Sequence, residues 1–165
     1  MDNGPFRLAD LTSVVRMWQS VRYRVALCHG CFDLLHYGHL LHLTAARALA
    51  DRLVVTVTPD RFVNKEHNRP VLAAEQRAHF LSALRVVDWV AVNHWPTGVE
   101  TIRLVRPDIY VKGIDYRLAD ETGFRAEREA AAAAGVKVCF TDTPKWSSTD
   151  IIAGLVRAVP GNTTR

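Results

Sequence analysis

The stretch Arg24-Val25-Ala26-Leu27-Cys28-His29-Gly30-Cys31-Phe32-Asp33-Leu34-Leu35-His36-Tyr37-Gly38-His39 decides how this chain folds. It opens with an apolar run of the length a buried strand takes, passes through a loop bearing a glycine, and ends where a helical pattern begins. Strands and helices go on alternating downstream, without an internal repeat. Strands are expected at residues 24–28, 53–58, 89–92, 109–111 and 136–140, and helices at 39–50, 73–85, 98–105, 122–134 and 148–158. Strands separated by helices imply right-handed crossovers and a parallel sheet covered on both faces. The expected fold class is therefore α/β, a doubly wound parallel five-stranded sheet with flanking helices, in a single domain over residues 23–160. A further helix at 8–21, in an N-terminal extension over residues 1–22, is expected to pack on its outside.

Bulk properties agree with this. A chain of 165 residues suits one compact domain, and 48% hydrophobic with 23% charged residues is ordinary globular composition. The formal charge of +4 comes from scattered basic residues, which suits an anionic small molecule and argues against nucleic acid. No apolar run has the length of a membrane span, and the first residues lack the pattern of a signal peptide, so no membrane partner and a cytoplasmic location are expected. Cys28, Cys31 and Cys139 are odd in number and irregular in spacing, unlike a disulfide framework.

In open α/β sheets ligands bind beyond the carboxyl ends of the strands. Three polar motifs fall there. In the first, Gly30 and Gly38 let backbone approach a ligand closely, and the helix start after the loop offers unpaired N–H groups and a positive dipole end to phosphate. His36 and His39, three residues apart, can donate charge-assisted hydrogen bonds to phosphate oxygens. The second motif is Lys112-Gly113-Ile114-Asp115-Tyr116, and the third is Lys145-Trp146-Ser147-Ser148-Thr149, where a serine is a natural helix N-cap.

The run Gly30-Cys31-Phe32-Asp33-Leu34-Leu35-His36-Tyr37-Gly38-His39 resembles the signature of the HxGH nucleotidyltransferases, the cytidylyltransferase-like superfamily with its Rossmann-like fold. Within it the chain is most similar to the heptose-1-phosphate adenylyltransferase domain, over about residues 24–155. The likeness continues through Asp51-Arg52-Leu53-Val54-Val55, Arg69-Pro70-Val71, Glu75-Gln76-Arg77, Val87-Asp88-Trp89-Val90, the Lys112 motif and Ser147-Ser148-Thr149.

This resemblance implies transfer of a nucleoside monophosphate from a triphosphate to the phosphate of a small molecule, with release of pyrophosphate. His36, His39, Lys65 and Arg77 are then the expected catalytic residues, with Lys65 on a loop over the triphosphate and Arg77 pointing into the cleft. Gly30, Cys31, Phe32, Asp33, Gly38, Lys112, Gly113, Asp115, Ser147, Ser148 and Thr149 are the expected nucleotide or phosphate contacts. Lys112, Asp115 and Tyr116 are expected at the acceptor, Lys112 offsetting its phosphate charge. Mg²⁺ would come bound through the triphosphate, no metal being held by protein alone, and a homodimer is expected.

The implied substrates are ATP and a sugar 1-phosphate, with CTP and a polyol phosphate or phosphonate as the alternative. An arginine that glycerol-phosphate enzymes carry five positions before the first serine is replaced here by Asp142, which favours the heptose type. Two readings of other classes stand beside these. One is a nucleotide-binding domain without catalysis, since fold does not fix function. The other is a zinc or thiol-redox site built on Cys28, Cys31 and the histidines, in which Cys31 and His42 each read more readily as structural.

Overall fold

The computed structural model describes residues 6–63, 69–117 and 122–144, together with Trp146, Thr149, Ile151, Ala153 and Gly154. Five strands form the sheet: β1 (Val25–Gly30), β2 (Arg52–Val57), β3 (Trp89–Val92), β4 (Ile109–Gly113) and β5 (Lys137–Thr141). All neighbours pair in parallel, in the order β3-β2-β1-β4-β5. Helices α1 (Leu8–Ser20), α2 (Tyr37–Arg47), α3 (Ala74–Ser82), α4 (Val99–Val105) and α5 (Thr122–Ala134) cover the two faces. Every expected strand is present, that at 89–92 with both ends as expected and the others with ends displaced by at most two residues. The described residues past Trp146 have helical backbone.

The alternation of strand side chains builds two cores. Along β1, Ala26 and Cys28 point to one face and Val25 and Leu27 to the other, and all four are fully buried. The first face receives Leu43 and Ala46 of α2 with Ala78 and Leu81 of α3. The second receives Ile102 and Val105 of α4 and Ala130 and Ala131 of α5. Strands buried on both sides need apolar residues at nearly every position, which is why they read as continuous runs in the sequence.

Helix α1, expected as an outer extension, is built into the second core. Its stripe Leu8, Leu11 and Val15 is buried against Val25, Leu27, Val54 and Ala91. Its end is tied down by Gln19, whose Nε2 donates to Arg106 O at 3.0 Å and to Asp108 Oδ2 at 3.2 Å. Asp108 in turn accepts from the Val25 amide at 2.8 Å, so one carboxylate joins the helix to the start of the central strand. Among the described residues, no helix is long and apolar enough to cross a membrane.

Candidate active site

From β1 the chain moves to β2 and β3 on one side, then returns to place β4 on the other. The loops leaving β1 and β4 therefore diverge, and a crevice opens between them. A cavity of about 400 Å³ lies there. It is lined by the β1–α2 loop, the first turns of α2, the end of β4 with the 3₁₀ turn that follows (Ile114–Arg117), and Thr143, Pro144 and Trp146 beyond β5. Residues of the first two motifs, with Trp146 of the third, thus share one cleft.

The β1–α2 loop is held in an uncommon shape. Phe32 and Leu34 both take left-handed backbone, each at φ 51°, which costs a side-chain-bearing residue energy that its surroundings must supply. Asp33, between them, supplies it. Its buried carboxylate accepts from Arg69 Nε at 2.5 Å and from the amides of Val71 at 3.1 Å and Leu72 at 3.2 Å. Burial by itself would raise this carboxyl, but the amide and Arg69 hydrogen bonds outweigh it and hold the acid below its usual range. Asp33 lines the cavity, yet its oxygens are committed to shaping the loop.

Arg77 corrects an expectation. Its side chain is 0% exposed and does not reach the cavity. Its Nε donates to Leu72 O at 2.9 Å, one Nη donates to Cys31 O, and the other donates to Thr58 O at 2.8 Å and pairs with Asp60 Oδ1 at 2.5 Å. A buried guanidinium needs its donors satisfied and its charge countered, and the loops after β1 and β2 do both. Arg77 fastens these loops from beneath and leaves no donor for phosphate.

At the start of α2, His36 is the N-cap in extended conformation, at φ −137° and ψ 174°. The rings of His36 and His39 stack at 3.8 Å with an interplanar angle of 22°. The His36 amide donates to His39 Nδ1 at 3.4 Å, which gives Nδ1 the acceptor role and places the proton of the neutral ring on Nε2. Both rings line the cavity, so imidazole donors and the amides of a helix start converge on it. Gly38 is required by packing here. A Cβ at that position would lie 2.5 Å from Trp146 Cβ and 2.9 Å from its Cγ. The segment after β5 can close against α2 only over a glycine.

The other wall is built from β4. Lys112 lines the cavity, but its Nζ lies 3.0 Å from Glu127 Oε2 of α5, with the two side chains 10% and 4% exposed. The same ammonium sits 4.5 Å from the centre of the Tyr116 ring. The cation expected to offset acceptor charge is already countered, because a nearly buried ammonium requires a partner. Beneath it, His29 Nδ1 bonds Thr56 Oγ1 at 3.0 Å, and burial with the Lys112 charge lowers the ring to about 4. His42 bonds Thr141 Oγ1 at 2.6 Å and is lowered, chiefly by burial, to about 4. Asp115 is exposed at the rim and Tyr116 is half-buried.

Glu127 was not among the residues singled out in the sequence. The available signal was its place on the buried stripe of α5, with Phe124, Ala130 and Ala131. In an alanine-rich helix that also carries Arg125, Arg128 and Glu129, one buried acid looks like a solvated one.

Cys28 lies within β1 rather than at its end, fully buried, and burial pushes its thiol up to about 12. Such a thiol is inert as a nucleophile or redox partner. Cys31 is half-buried on the cavity wall, its Sγ 4.0 Å from an Arg77 nitrogen. Among the described residues, no three His, Cys, Asp or Glu side chains converge as metal ligands would. Thr149 is exposed on helical backbone. Lys65, Lys145, Ser147 and Ser148 lie outside the described residues.

Comparison with known proteins adds the family. The cytidylyltransferase-like family model matches residues 27–154. The chain is 41% identical over 151 residues to the bifunctional protein HldE of Bradyrhizobium sp. (strain ORS 278), covering 90% of this chain and 30% of that protein. It is 42% identical over 137 residues to the bifunctional protein HldE of Chromohalobacter salexigens, covering 82% and 28%. The chain thus spans less than a third of the length of these relatives. Among solved structures it is similar to a lipopolysaccharide core biosynthesis protein from Thermoplasma volcanium, with a TM-score of 0.61 and 26% identity, covering 76% of this chain and 99% of that one. With the family model spanning the sheet, the cavity and the paired histidines, the chain belongs to the cytidylyltransferase-like family of nucleotidyltransferases.

Proposed function

We propose that this protein transfers the adenylyl group of ATP to the phosphate of a sugar 1-phosphate, forming a nucleoside-diphosphate sugar and pyrophosphate. The observation that carries the reading is the stacked His36–His39 pair on the helix start that opens into the switch-point cavity. The likeness to the heptose-1-phosphate adenylyltransferase domain, and the 41% identity with a bifunctional HldE protein, support ATP and a sugar phosphate as the pair.

In this mechanism an acceptor phosphate oxygen forms a bond to the α-phosphorus while the bond from that phosphorus to the α–β bridging oxygen breaks. The electron pair leaves with pyrophosphate. The nucleophile is already an anion, so no general base is needed, and catalysis reduces to in-line placement and charge stabilisation. The Nε2–H of His39 and the α2 amides would serve the α-phosphoryl oxygens, where charge concentrates in the transition state. Lys65, Ser147, Ser148 and Thr149 would hold the β and γ phosphates. Mg²⁺ enters as part of the substrate, on the triphosphate. The carboxylates lining the cavity among the described residues are Asp33, whose oxygens are committed, and Asp115, so imidazole and amide donors predominate. That donor set suits phosphate oxygens better than a bare cation. A cytoplasmic location and a homodimer belong to the same reading and rest on the family resemblance alone.

A matrix of the four nucleoside triphosphates against sugar 1-phosphates, polyol phosphates and phosphonates tests it, with pyrophosphate release as the readout and each product weighed by mass spectrometry. ATP with a sugar 1-phosphate should give the highest kcat/KM. A preference for CTP with a polyol phosphate would displace the substrate assignment and leave the reaction class intact.

A further inference from the structure

Away from the α2 start, the ionisable groups on the cavity floor are arranged to carry no net charge. His29 and His42 bond threonine hydroxyls, Asp33 pairs with Arg69, and Lys112 pairs with Glu127. Asp115, on the rim, is the exception and is an acid. The Lys112–Glu127 pair is the one whose composition matters most, because a lone ammonium there would be a second phosphate site beside the histidines.

Glu127 is clamped through both oxygens. Oε2 faces Lys112 Nζ at 3.0 Å, and Oε1 accepts from the Gly98 amide at the start of α4 at 2.8 Å. Gly98 itself has no room for a side chain, since a Cβ would lie 2.8 Å from Tyr110 Oη and 3.1 Å from Glu127 Oε1. Lys112 is held as firmly. Its ammonium lies 4.5, 5.6 and 5.9 Å from the ring centres of Tyr116, Tyr110 and Phe124. Electron-rich ring faces and one carboxylate fix a cation without need of a ligand.

We propose that Glu127 is a specificity-determining residue. By neutralising Lys112 it makes the β4 end of the cavity a pocket for the uncharged, hydroxyl-bearing part of a substrate, the ribose or the sugar, and confines phosphate to the α2 start. This rests on the transferase reading and deepens it. The N–H bonds of Lys112 not directed at Glu127 suit hydroxyl and ring oxygens, and Asp115 can accept from hydroxyls. A phosphate placed there would meet two carboxylates and gain no unpaired cation, a cost that steers the substrate end for end.

The test is calorimetric titration of inorganic tripolyphosphate into the full chain, comparing the unmodified protein with Glu127→Gln and with Lys112→Met/Glu127→Gln. Glu127→Gln uncovers the ammonium and should bind tripolyphosphate about fivefold tighter. The double variant has the same net charge at this spot as the unmodified protein and should bind within about twofold of it. A tenfold loss in the double variant would show that the ammonium already serves phosphate and would overturn the proposal. Unchanged affinity in folded Glu127→Gln would overturn it as well. Should Glu127→Gln not fold, the double variant decides, since it leaves no uncompensated charge. If the unmodified protein binds no tripolyphosphate, the transferase reading itself fails and takes the proposal with it.

Discussion

Arg77 and His39 both come from motifs that suggest phosphate contact, and burial separates their roles. Arg77 directs its guanidinium to three carbonyls and the Asp60 carboxylate, with no exposure to solvent. Replacing it with Met should leave those acceptors and Asp60 without their donor and cost about 3 kcal/mol or more of unfolding free energy, as measured by urea denaturation. Retained stability with lost nucleotide affinity would restore Arg77 to the phosphate site. His39 faces the cavity with its Nδ1 committed to the His36 amide. His39→Ala should lower kcat roughly 10²- to 10³-fold while the nucleotide Kd changes less than about threefold, because a donor aimed at developing charge acts mainly on the transition state. Rapid-mix turnover and equilibrium binding separate the two effects.

At the scale of elements, the β1–α2 loop and the start of α2 carry the site. Gly38 occupies the first turn of α2, where alanine is the better helix former by about 1 kcal/mol. Its Cβ would still overlap Trp146, so Gly38→Ala should keep the melting temperature within about 3 °C and lower kcat/KM at least tenfold by displacing Trp146 from the cavity wall. A fully active Gly38→Ala would show that this packing is dispensable. The loop also sets an acid limit. Asp33 is held below its unfolded pKa, so its contribution to stability is complete above about pH 4 and is lost as pH falls through its folded value. Asp33→Asn should therefore be less stable at neutral pH and show a flatter stability profile between about pH 5 and pH 2. A profile that overlays the unmodified protein's would sink that assignment.

For the whole molecule, the two-faced burial of the sheet explains what the sequence disclosed. Strands such as 53–57 and 89–92 are legible because residues on both their faces are buried, so apolar side chains fill every position but Thr56. The site was legible as far as its groups follow strand ends: His36, Gly38, His39, Lys112, Asp115 and Tyr116 do line one cavity. What escaped was set by contacts distant in sequence. The buried bonds of Arg77 reach back to Cys31 and Thr58, and the charge of Lys112 is cancelled by a residue on α5. Neither pairing leaves a local mark. Helix α1 became part of the core for a similar reason: a Leu8, Leu11, Val15 stripe shows that a helix has an apolar face, and only the tertiary structure shows which sheet face needs it.

The most direct test of the central claim follows the phosphorus atoms. The purified chain is given a sugar 1-phosphate and ATP labelled either at the α or at the γ position, and the products are separated. The account predicts α label in the sugar product and γ label in pyrophosphate, in equal amounts. Label from the γ position in the sugar, or no transfer of α label to any phosphate acceptor, would contradict it.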